Sequence, residues 1–348
     1  MEEPAMASVP ANDGERAYGG VTDSTAAVRM NPALEKKATR AAYGETLLAL
    51  ADEGVDIYAV DADLASSTTT IRLAEYDPAR HINVGIAEQN MIGVAAGISL
   101  ASPDKVVFTG SFAVFGTGRV YDQIRNSVCY AGLNVKIAPT HAGISTGADG
   151  GSHQMIEDIA LMRILPGMRV LVPADYRSAI AAIRIAAKTK GPFYIRMGRL
   201  DIPQIHTDTN GFAVGKAHVL KPGSDITILA CGIEVHLALE AAERLALGGI
   251  DAEVIDAFSI KPLDRETILG SVRKTGLLIT AEEHSIYGGL GSAAAELLGE
   301  TPGLSYGFKR LGVNDSFGTS GGYGELFAAY GLDSDAIYRA VLELRGIE

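Results

Sequence analysis

Residues 82–91 read Ile-Asn-Val-Gly-Ile-Ala-Glu-Gln-Asn-Met, a short apolar segment that turns through Gly85 into a helical pattern. The segment from Ile82 to Gly85 predicts a buried strand, and the following pattern predicts a helix from about Ala87 to Leu100. Glu88 falls in the first turn of that helix. A carboxylate there complements the helix macrodipole, which is a purely structural role. The alternative is a functional one, a buried carboxyl group that can hold and share a proton.

The same alternation of strands and helices extends on both sides of this stretch. Further strands are predicted at 57–60, 105–109, 135–138, 168–172 and 193–196, and further helices at 35–53, 120–130 and 178–188. A second set follows, with strands at 226–230, 252–256 and 277–281 and helices at 235–246 and 291–298. Alternating strands and helices predict parallel sheets with helices on both faces. The expected fold class is therefore α/β, with two doubly wound domains.

Composition divides the chain of 348 residues into four segments. Residues 1–30 are rich in Ala, Gly, Ser, Asp and Pro without apolar periodicity, and they predict a mobile tail. We expect a first α/β domain over 31–203, a polar linker over 204–211 and a second domain over 212–348. Two domains agree with the usual domain size for a chain of this length.

Composition also excludes several classes of function. Thirty Lys and Arg residues against 42 Asp and Glu give a formal charge of −12, which disfavours nucleic-acid and anionic-membrane partners. Cys129 and Cys231 are too few for a disulfide framework, and the sequence lacks a CxxC pair. Neither a signal peptide nor a membrane span is indicated, so we expect a cytoplasmic protein. A Walker loop, a convincing dinucleotide fingerprint and a nucleophile elbow are missing from the sequence.

Two Gly-rich stretches carry side chains that suit a ligand site. Residues 109–119 place Phe112 and Phe115 among small residues, which fits either core packing or a flat slot that stacks a heteroaromatic ring. In residues 140–153, His141 and His153 bracket Asp149, which favours a polar substrate site. We expect no metal ligands in this loop, because it contains neither a helical HxxxH pair nor a cysteine.

Two strand ends add charged residues. Residues 196–199 read Arg-Met-Gly-Arg, which fits a solvated strand end or a guanidinium group that binds phosphate. Residues 282–291 read Glu-Glu-His-Ser-Ile-Tyr-Gly-Gly-Leu-Gly, which fits an active site or an interface corner. Spacing does not decide between these alternatives, and the role of His284 stays open.

Taken together in this order, Gly85 to Met91, Ser111 to Phe115 and the loop from His141 to His153 resemble the C-terminal half of transketolase. Tyr121 to Arg125, which read Tyr-Asp-Gln-Ile-Arg, and the 282–291 corner are similar to that family too. The resemblance covers nearly all of the chain after the predicted tail. It implies a thiamine diphosphate pyrimidine-binding domain followed by a transketolase C-terminal domain.

The resemblance implies a role for each candidate residue. Glu88 would hydrogen-bond the aminopyrimidine ring nitrogen of the cofactor and favour its reactive tautomer. Phe112, Phe115 and Asp63 would contact the cofactor.

The remaining candidates would contact the substrate. His141 and His153 would bind its hydroxyl and carbonyl oxygens, and Asp149 would bind a hydroxyl of the acceptor. The sugar phosphate would be held by Arg40, Ser67 and Arg199.

The resemblance also implies a partner chain. In full-length transketolases the N-terminal half binds the diphosphate through Mg²⁺ with a Gly-Asp-Gly motif followed by Asn, and this sequence lacks that motif. We therefore expect a split enzyme, in which a separately encoded diphosphate-binding subunit holds most contacts to Mg²⁺. A symmetric α2β2 assembly with shared sites is the expected form. The expected reaction transfers a two-carbon ketol unit between phosphorylated sugars of the pentose phosphate type.

Departures from the family pattern lie on the substrate side, at Gly118, Ala142, Ala148 and Gly198. They leave open a related thiamine diphosphate enzyme that acts on an unusual sugar phosphate, or one that carries out a condensation like that of deoxyxylulose phosphate synthase. A third alternative, of a different class, is a scaffold that kept the fold without catalysis.

Overall fold

The computed structural model describes residues 35–347, so the predicted tail over 1–30 lies outside the described residues. The described chain is built on two mainly parallel sheets and a short antiparallel ribbon, which confirms the α/β fold class. Its strands are β1 (Lys36–Ala38), β2 (Ile57–Asp61), β3 (His81–Asn83), β4 (Val106–Gly110), β5 (Val135–Ile137), β6 (Arg169–Leu171), β7 (Phe193–Ile195), β8 (Asp201–Pro203), β9 (His218–Lys221), β10 (Ile226–Ala230), β11 (Ala252–Asp256), β12 (Ser259–Lys261), β13 (Leu277–Ser285) and β14 (Gly307–Val313).

The α-helices connect these strands. They are α1 (Thr39–Asp52), α2 (Ala65–Thr68), α3 (Ile71–Tyr76), α4 (Glu88–Ala101), α5 (Tyr121–Gln123), α6 (Asp158–Ile164), α7 (Tyr176–Lys188), α8 (Glu234–Leu247), α9 (Arg265–Thr275), α10 (Leu290–Gly299), α11 (Tyr323–Tyr330) and α12 (Ser334–Arg345). Short 3₁₀ turns occur at Pro78–Arg80 and Ile144–Asp149, and π-helical segments at Val114–Gly118 and Ile124–Tyr130. Within residues 35–347, none of the helices combines the length and the apolar character that a membrane crossing requires.

The first sheet has the strand order β12-β6-β7-β5-β4-β2-β3. Its strands are parallel except β12, which pairs antiparallel with β6 at the edge. Because β12 comes from the second half of the chain, the two halves share this sheet. The second sheet has the order β14-β13-β10-β11-β9, with β9 as its antiparallel edge.

Helices cover both faces of each sheet, so the central strands are buried on both sides. In β4, Val107 packs in the cluster that includes Met91 of α4, whereas the next residue, Phe108, packs with α1 and α7. In the second sheet, α9 and α10 pack on one face and α8 and α12 on the other. One apolar cluster contains both Val170 of the first sheet and Leu229 of the second, so the core is continuous between the halves.

The structure corrects several predicted boundaries. The helix expected from residue 35 begins at Thr39, because Lys36–Ala38 forms a strand that pairs with β8. The helix expected over 120–130 is one short α-helical turn continued by a π-helical segment. Residues 204–211 are irregular but anchored, since the ring nitrogens of His206 lie 3.3 and 3.4 Å from carboxylate oxygens of Asp175 and Asp256.

Gly44 allows α1 to contact the loop that follows β2. The Thr69 hydroxyl accepts a hydrogen bond from the Gly44 N–H (2.9 Å) and donates one to the Arg40 carbonyl (2.8 Å). It therefore bridges a backbone N–H and a carbonyl four residues apart, which would otherwise pair with each other in α1. A Cβ at Gly44 would lie 2.1 Å from the Thr69 carbonyl oxygen. The same contact places Ser67 beside Arg40, whose Nη1 donates to the Ser67 carbonyl (3.3 Å).

We therefore expect Gly44→Ala to lower the free energy of unfolding by about 2 kcal/mol, because overpacking against a neighbour costs about 1–3 kcal/mol. Gly270→Ala is the matched control, since a Cβ at this position in the interior of α9 would meet no atom within 4 Å. This control should be neutral or stabilising by up to about 1 kcal/mol. Denaturant unfolding followed by circular dichroism measures both, and wild-type stability of Gly44→Ala would contradict the assigned contact.

Candidate active site

The candidate residues lie at the carboxyl ends of strands in the first sheet. Phe112 follows β4, His141 follows β5 and Arg199 follows β7, while Arg40 lies in the first turn of α1. From β2 the chain enters β3 on one side and then returns to β4 on the other. Such a reversal of strand order opens a crevice at the carboxyl edge of a parallel sheet.

An open cavity of about 450 Å³ occupies this crevice. Seven of the ten candidate residues line it: Arg40, Ser67, Phe112, His141, Asp149, His153 and Arg199. The structure therefore brings together side chains from five separate segments of the chain.

Aromatic rings form one wall of the cavity. The Phe112 ring stacks on the His141 imidazole with centroids 3.8 Å apart. Phe115, which is not itself in the lining, lies nearly parallel to Phe112 at 6.3 Å. His153 meets Phe115 edge-on at 5.3 Å. This arrangement presents flat apolar faces next to two imidazole rings, which suits a ligand with both a ring and polar groups.

His141 is held in an uncommon backbone conformation, with a φ of 62°. The Thr146 hydroxyl donates to the His141 carbonyl (2.8 Å), and the Thr140 hydroxyl lies 2.7 Å from His141 Nδ1. These contacts fix the plane of the imidazole and leave Nε2 3.5 Å from Arg40 Nη1. A strained backbone conformation of this kind persists only where surrounding contacts hold it in place, and such residues are concentrated at functional sites.

Burial lowers the pKa of His141 to about 3, and the positive charges of Arg40 and Arg199 act in the same direction. The imidazole is therefore neutral at physiological pH. A neutral ring has one donor and one acceptor nitrogen, and with Nδ1 committed to Thr140 it presents Nε2 to a ligand.

The polar part of the cavity has an excess of positive charge. Among residues 35–347, the charged groups that line it are Arg40, Arg199 and one carboxylate, Asp149. Arg199 Nη1 donates to Asp149 Oδ2 (3.0 Å) and to the Thr146 carbonyl (3.0 Å). In the described part of the chain, both guanidinium groups donate through Nη1 only, so further N–H groups remain for an anion.

Glu88 lies beside the aromatic wall rather than in the cavity lining. It is buried (3% exposed), and its Oε2 accepts a hydrogen bond from Arg119 Nη1 (3.0 Å). The Arg119 guanidinium lies over the Phe115 ring at 4.2 Å from the centroid. The sequence analysis did not assign a role to Arg119. Its one signal in the sequence is that it is the charged residue at the end of the stretch 109–119, which carries both phenylalanines.

Three other residues lie away from the cavity. Asp63 is exposed, does not line the cavity and accepts a hydrogen bond from Asn83 Nδ2 (3.2 Å). Arg196 is not a solvated or phosphate-binding group, because it is buried against Asp158 with Nε 2.7 Å from Oδ2. His284 does not line the cavity and is buried between the halves of the chain, where its Nε2 accepts from the Ala160 N–H (3.3 Å).

The neutral state of His141 can be tested by NMR of histidine-labelled protein. We expect its ring resonances not to titrate between pH 5 and 8, because its pKa is about 3. Between pH 6.5 and about 3, His141 is protonated in the unfolded chain but still neutral in the folded one. The free energy of unfolding therefore decreases as the pH falls through this range. Arg40→Met should raise the pKa of His141, since it removes a neighbouring cation.

His206 is an internal comparator for this titration. Burial opposes its protonation, but Asp175 and Asp256 outweigh that effect and raise the pKa of His206 above its ordinary 6.5. His141→Gln assigns the resonances. A midpoint near 6.5 for His141 would contradict the described electrostatics.

Two family models match the sequence. The model described as "Transketolase, pyrimidine binding domain" matches residues 35–204, and "Transketolase, C-terminal domain" matches residues 215–337.

Curated relatives agree with these matches. The putative transketolase C-terminal section of Methanocaldococcus jannaschii is 47% identical over 309 residues, which cover 88% of this chain and 96% of the relative. The 6-deoxy-6-sulfo-D-fructose transketolase subunit SqwH of a Clostridium species is 45% identical over 311 residues, covering 89% and 95%. Human transketolase is 38% identical over 310 residues, which cover 88% of this chain but only 49% of the human enzyme.

A solved structure gives the same result. The protein titled "Split gene transketolase, inactive beta4 tetramer" superposes with a TM-score of 0.80 at 47% identity, covering 89% of this chain and 98% of that chain. These similarities confirm the resemblance that the sequence motifs predicted. The chain belongs to the transketolase family, as a split transketolase-type enzyme subunit that carries the pyrimidine-binding and C-terminal domains.

Proposed function

We propose that this subunit, with a separately encoded partner, forms a thiamine diphosphate-dependent transketolase that transfers a two-carbon ketol unit between sugar phosphates. One observation carries the proposal. A buried carboxylate, Glu88, adjoins a ring-stacking surface at Phe115, and that surface borders a cavity with an excess of positive charge. Such a site offers a place for a flat heterocycle next to a place for an anionic substrate.

The residues around Glu88 fit an aminopyrimidine ring. The Arg119 guanidinium is itself a flat group that stacks on Phe115 and donates an N–H to Glu88. A planar hydrogen-bond donor can therefore stack on Phe115 while it donates a hydrogen bond to the Glu88 carboxylate. An aminopyrimidine with a protonated ring nitrogen makes the same kinds of contact.

Each residue on the cofactor side has a proposed task. Glu88 hydrogen-bonds the ring nitrogen, and Phe112 and Phe115 stack on the ring and keep water from it. Asp63, which lies at the end of β2 outside the cavity, contacts the cofactor from the neighbouring loop. When bound, the cofactor supplies an electron sink that allows the bond next to a ketone to break and form.

The residues in the cavity have proposed tasks on the substrate side. His141, as a neutral imidazole, and His153 hydrogen-bond the hydroxyl and carbonyl oxygens of the sugar. Asp149 accepts a hydrogen bond from a hydroxyl of the acceptor. Arg40, Ser67 and Arg199 hold the phosphate, for which a guanidinium with free N–H groups is well suited.

The partner subunit is proposed to hold the diphosphate and most contacts to Mg²⁺, in an α2β2 assembly. The solved relative is an inactive β4 tetramer of a split-gene transketolase. By analogy, this chain without its partner should be inactive, and the active site should be completed by the second kind of chain.

A ketol-transfer assay tests the proposal. The chain is mixed with the diphosphate-binding subunit, thiamine diphosphate and Mg²⁺, with xylulose 5-phosphate as donor and ribose 5-phosphate as acceptor. A seven-carbon product is expected from the mixture and from neither subunit alone. Product from this chain alone would contradict the proposed division of the site.

Glu88→Gln in the same mixture should lower turnover by about 10²-fold or more, because proton transfer by a positioned group contributes about 10²–10⁴-fold. The complex should still assemble, which size-exclusion chromatography checks. Glu75→Gln, a matched change on the exposed side of α3, should leave turnover unchanged. Unchanged turnover in Glu88→Gln would rule out the role proposed for this carboxylate.

A second candidate is ketol transfer with an unusual sugar. Relatives at 45% and 38% identity are named for 6-deoxy-6-sulfo-D-fructose and for apulose 4-phosphate. Guanidinium groups can donate hydrogen bonds to the oxygens of a sulfonate as they do to those of a phosphate. Ala142 and Ala148 stand where the family pattern has longer side chains. The assay therefore includes a sulfonated ketose and a branched acceptor. Product from one of these but not from pentose phosphates would favour the second candidate.

Arg199→Met tests recognition of the anionic group on any of these sugars. The KM of the phosphorylated or sulfonated substrate should rise about 10- to 100-fold, because a charge-assisted hydrogen bond is worth about 1.5–3 kcal/mol. Glycolaldehyde, an acceptor without an anionic group, should keep its KM. Arg339→Met on the exposed side of α12 is the matched control. An equal rise with glycolaldehyde would show that Arg199 does not act through the anion.

A further inference from the structure

Glu283 of β13 lies directly behind the loop that carries both site histidines, defined here as the substrate loop, residues 141–154. The Glu283 side chain is buried, and its Oε1 accepts a hydrogen bond from the backbone N–H of Ser145. At Gly143, with a φ of 85°, a Cβ would lie 2.2 Å from Glu283 Cδ. The missing side chain at this glycine is what allows a carboxyl group from the second half of the chain to reach the loop.

The other side of the same short turn faces the cavity. Ser145 belongs to the segment Ile144–Asp149, in which a kink at Gly147 (φ 76°, ψ −121°) separates two short helical turns. From that segment, the Thr146 carbonyl and the Asp149 carboxylate each accept a hydrogen bond of 3.0 Å from Arg199 Nη1. Glu283 and Arg199 therefore hold the adjacent residues Ser145 and Thr146, and Arg199 also holds Asp149 beyond the kink at Gly147. Glu283 lies outside the cavity lining.

Two further contacts fasten the substrate loop to the second half. Gln154 Nε2 donates to the carbonyls of Gly147 (3.0 Å) and Thr319 (2.9 Å), and the Ser320 hydroxyl donates to the Ala148 carbonyl. The approach is close, because a Cβ at Gly318 would lie 1.8 Å from Gln154 Oε1. These bonds come from the segment before α11, so a second element of that half contacts the loop.

Glu283 is itself held in place by a buried arginine. Arg196 Nη2 donates to the Glu283 carbonyl (2.8 Å), and Arg196 Nη1 lies 3.8 Å from Glu283 Oε2. Burial raises the pKa of Glu283 to about 7, although Arg196 and the Ser145 bond oppose the rise. The carboxyl group is thus fixed by its own strand and by a cation, and Ser145 depends on it as the acceptor of its N–H.

We propose that Glu283 is a positioning residue. Through Ser145 it fixes the adjacent Thr146 carbonyl, and through that contact it sets where Arg199 and its partner Asp149 meet the sugar phosphate. The inference rests on the proposed function for its kinetic consequence. The second half of the chain then determines substrate affinity without touching substrate.

Glu282 provides a matched control for this inference. It is the neighbouring residue of β13 and equally buried, but its carboxylate accepts from the backbone N–H groups of Leu290 (2.6 Å) and Gly291 (2.8 Å) at the start of α10. Both glutamates therefore stabilise the second half, whereas only Glu283 reaches the substrate loop.

Steady-state kinetics of the assembled two-chain enzyme gives the first test. Glu283→Ala should raise the KM of the sugar phosphate by about 10-fold, with kcat within about 3-fold, because the change acts on binding rather than on the reacting groups. Glu283→Gln keeps an acceptor oxygen for the Ser145 N–H and should return KM to within about 3-fold of wild type. Glu282→Ala should leave KM unchanged. Equal KM values for the Ala variants at 282 and 283 would overturn the inference, as would a loss of kcat at unchanged KM.

Glu283→Asp keeps the test decisive if Glu283→Ala does not fold. Aspartate retains the charge opposite Arg196 but withdraws the carboxyl group from Ser145 by one methylene. It should raise KM in the same direction, and a wild-type KM would overturn the inference.

Hydrogen exchange gives a second test that needs no activity. Amides of residues 143–150 should exchange about 10-fold faster in Glu283→Asp than in wild type, as expected when one local opening becomes easier. They should be unaffected in Glu282→Ala. If the wild-type mixture transfers no ketol unit from any sugar, the proposed function fails while this exchange experiment still decides whether Glu283 fixes the loop. Unchanged exchange over 143–150 would overturn the inference whatever the activity.

Discussion

The buried guanidinium of Arg196 is the interaction on which the arrangement of the two halves depends. It follows β7 of the first sheet, pairs with Asp158 at the start of α6 and donates to the Glu283 carbonyl of β13 in the second sheet. Burial alone would lower the pKa of Arg196, but Asp158 and Glu283 outweigh it and raise that pKa, so the group stays charged. One cation thus joins a strand end, a helix start and the second sheet.

A buried ion pair of this kind adds little to stability in itself, because desolvation offsets most of the attraction between the charges. Removing one member is a different matter, since it leaves an unpaired buried charge at a cost of about 3–5 kcal/mol. Arg196 therefore fixes a geometry more than it adds stability. Because Arg196 also holds Glu283, the contact between the halves and the proposed support of the substrate loop involve the same atoms.

Local patterns were enough to predict the strands at the centre of each sheet, whereas the set of site residues was predicted from the resemblance to transketolase. Runs such as Val106 to Gly110 are buried on both faces, and parallel strands bring their carboxyl ends to one edge. Pairings between distant segments were not predictable: Lys36–Ala38 pairs with β8, and Ser259–Lys261 joins the first sheet, without any local signal. The contacts of Arg119 and Glu283 were not predicted for the same reason. They join residues far apart in the sequence, and only the folded structure brings those residues together.

The strand β12 has a consequence for how such a chain can be divided. A fragment that ended in the irregular segment 204–211 would lose the strand that covers β6, and the exposed edge would offer unpaired backbone groups to other chains. It would also leave the apolar cluster around Val170 without Leu229 and its neighbours. For gene fusion, fission or recombination, the two domains therefore behave as a single inherited module, although the sequence between them looks like a natural place to cut.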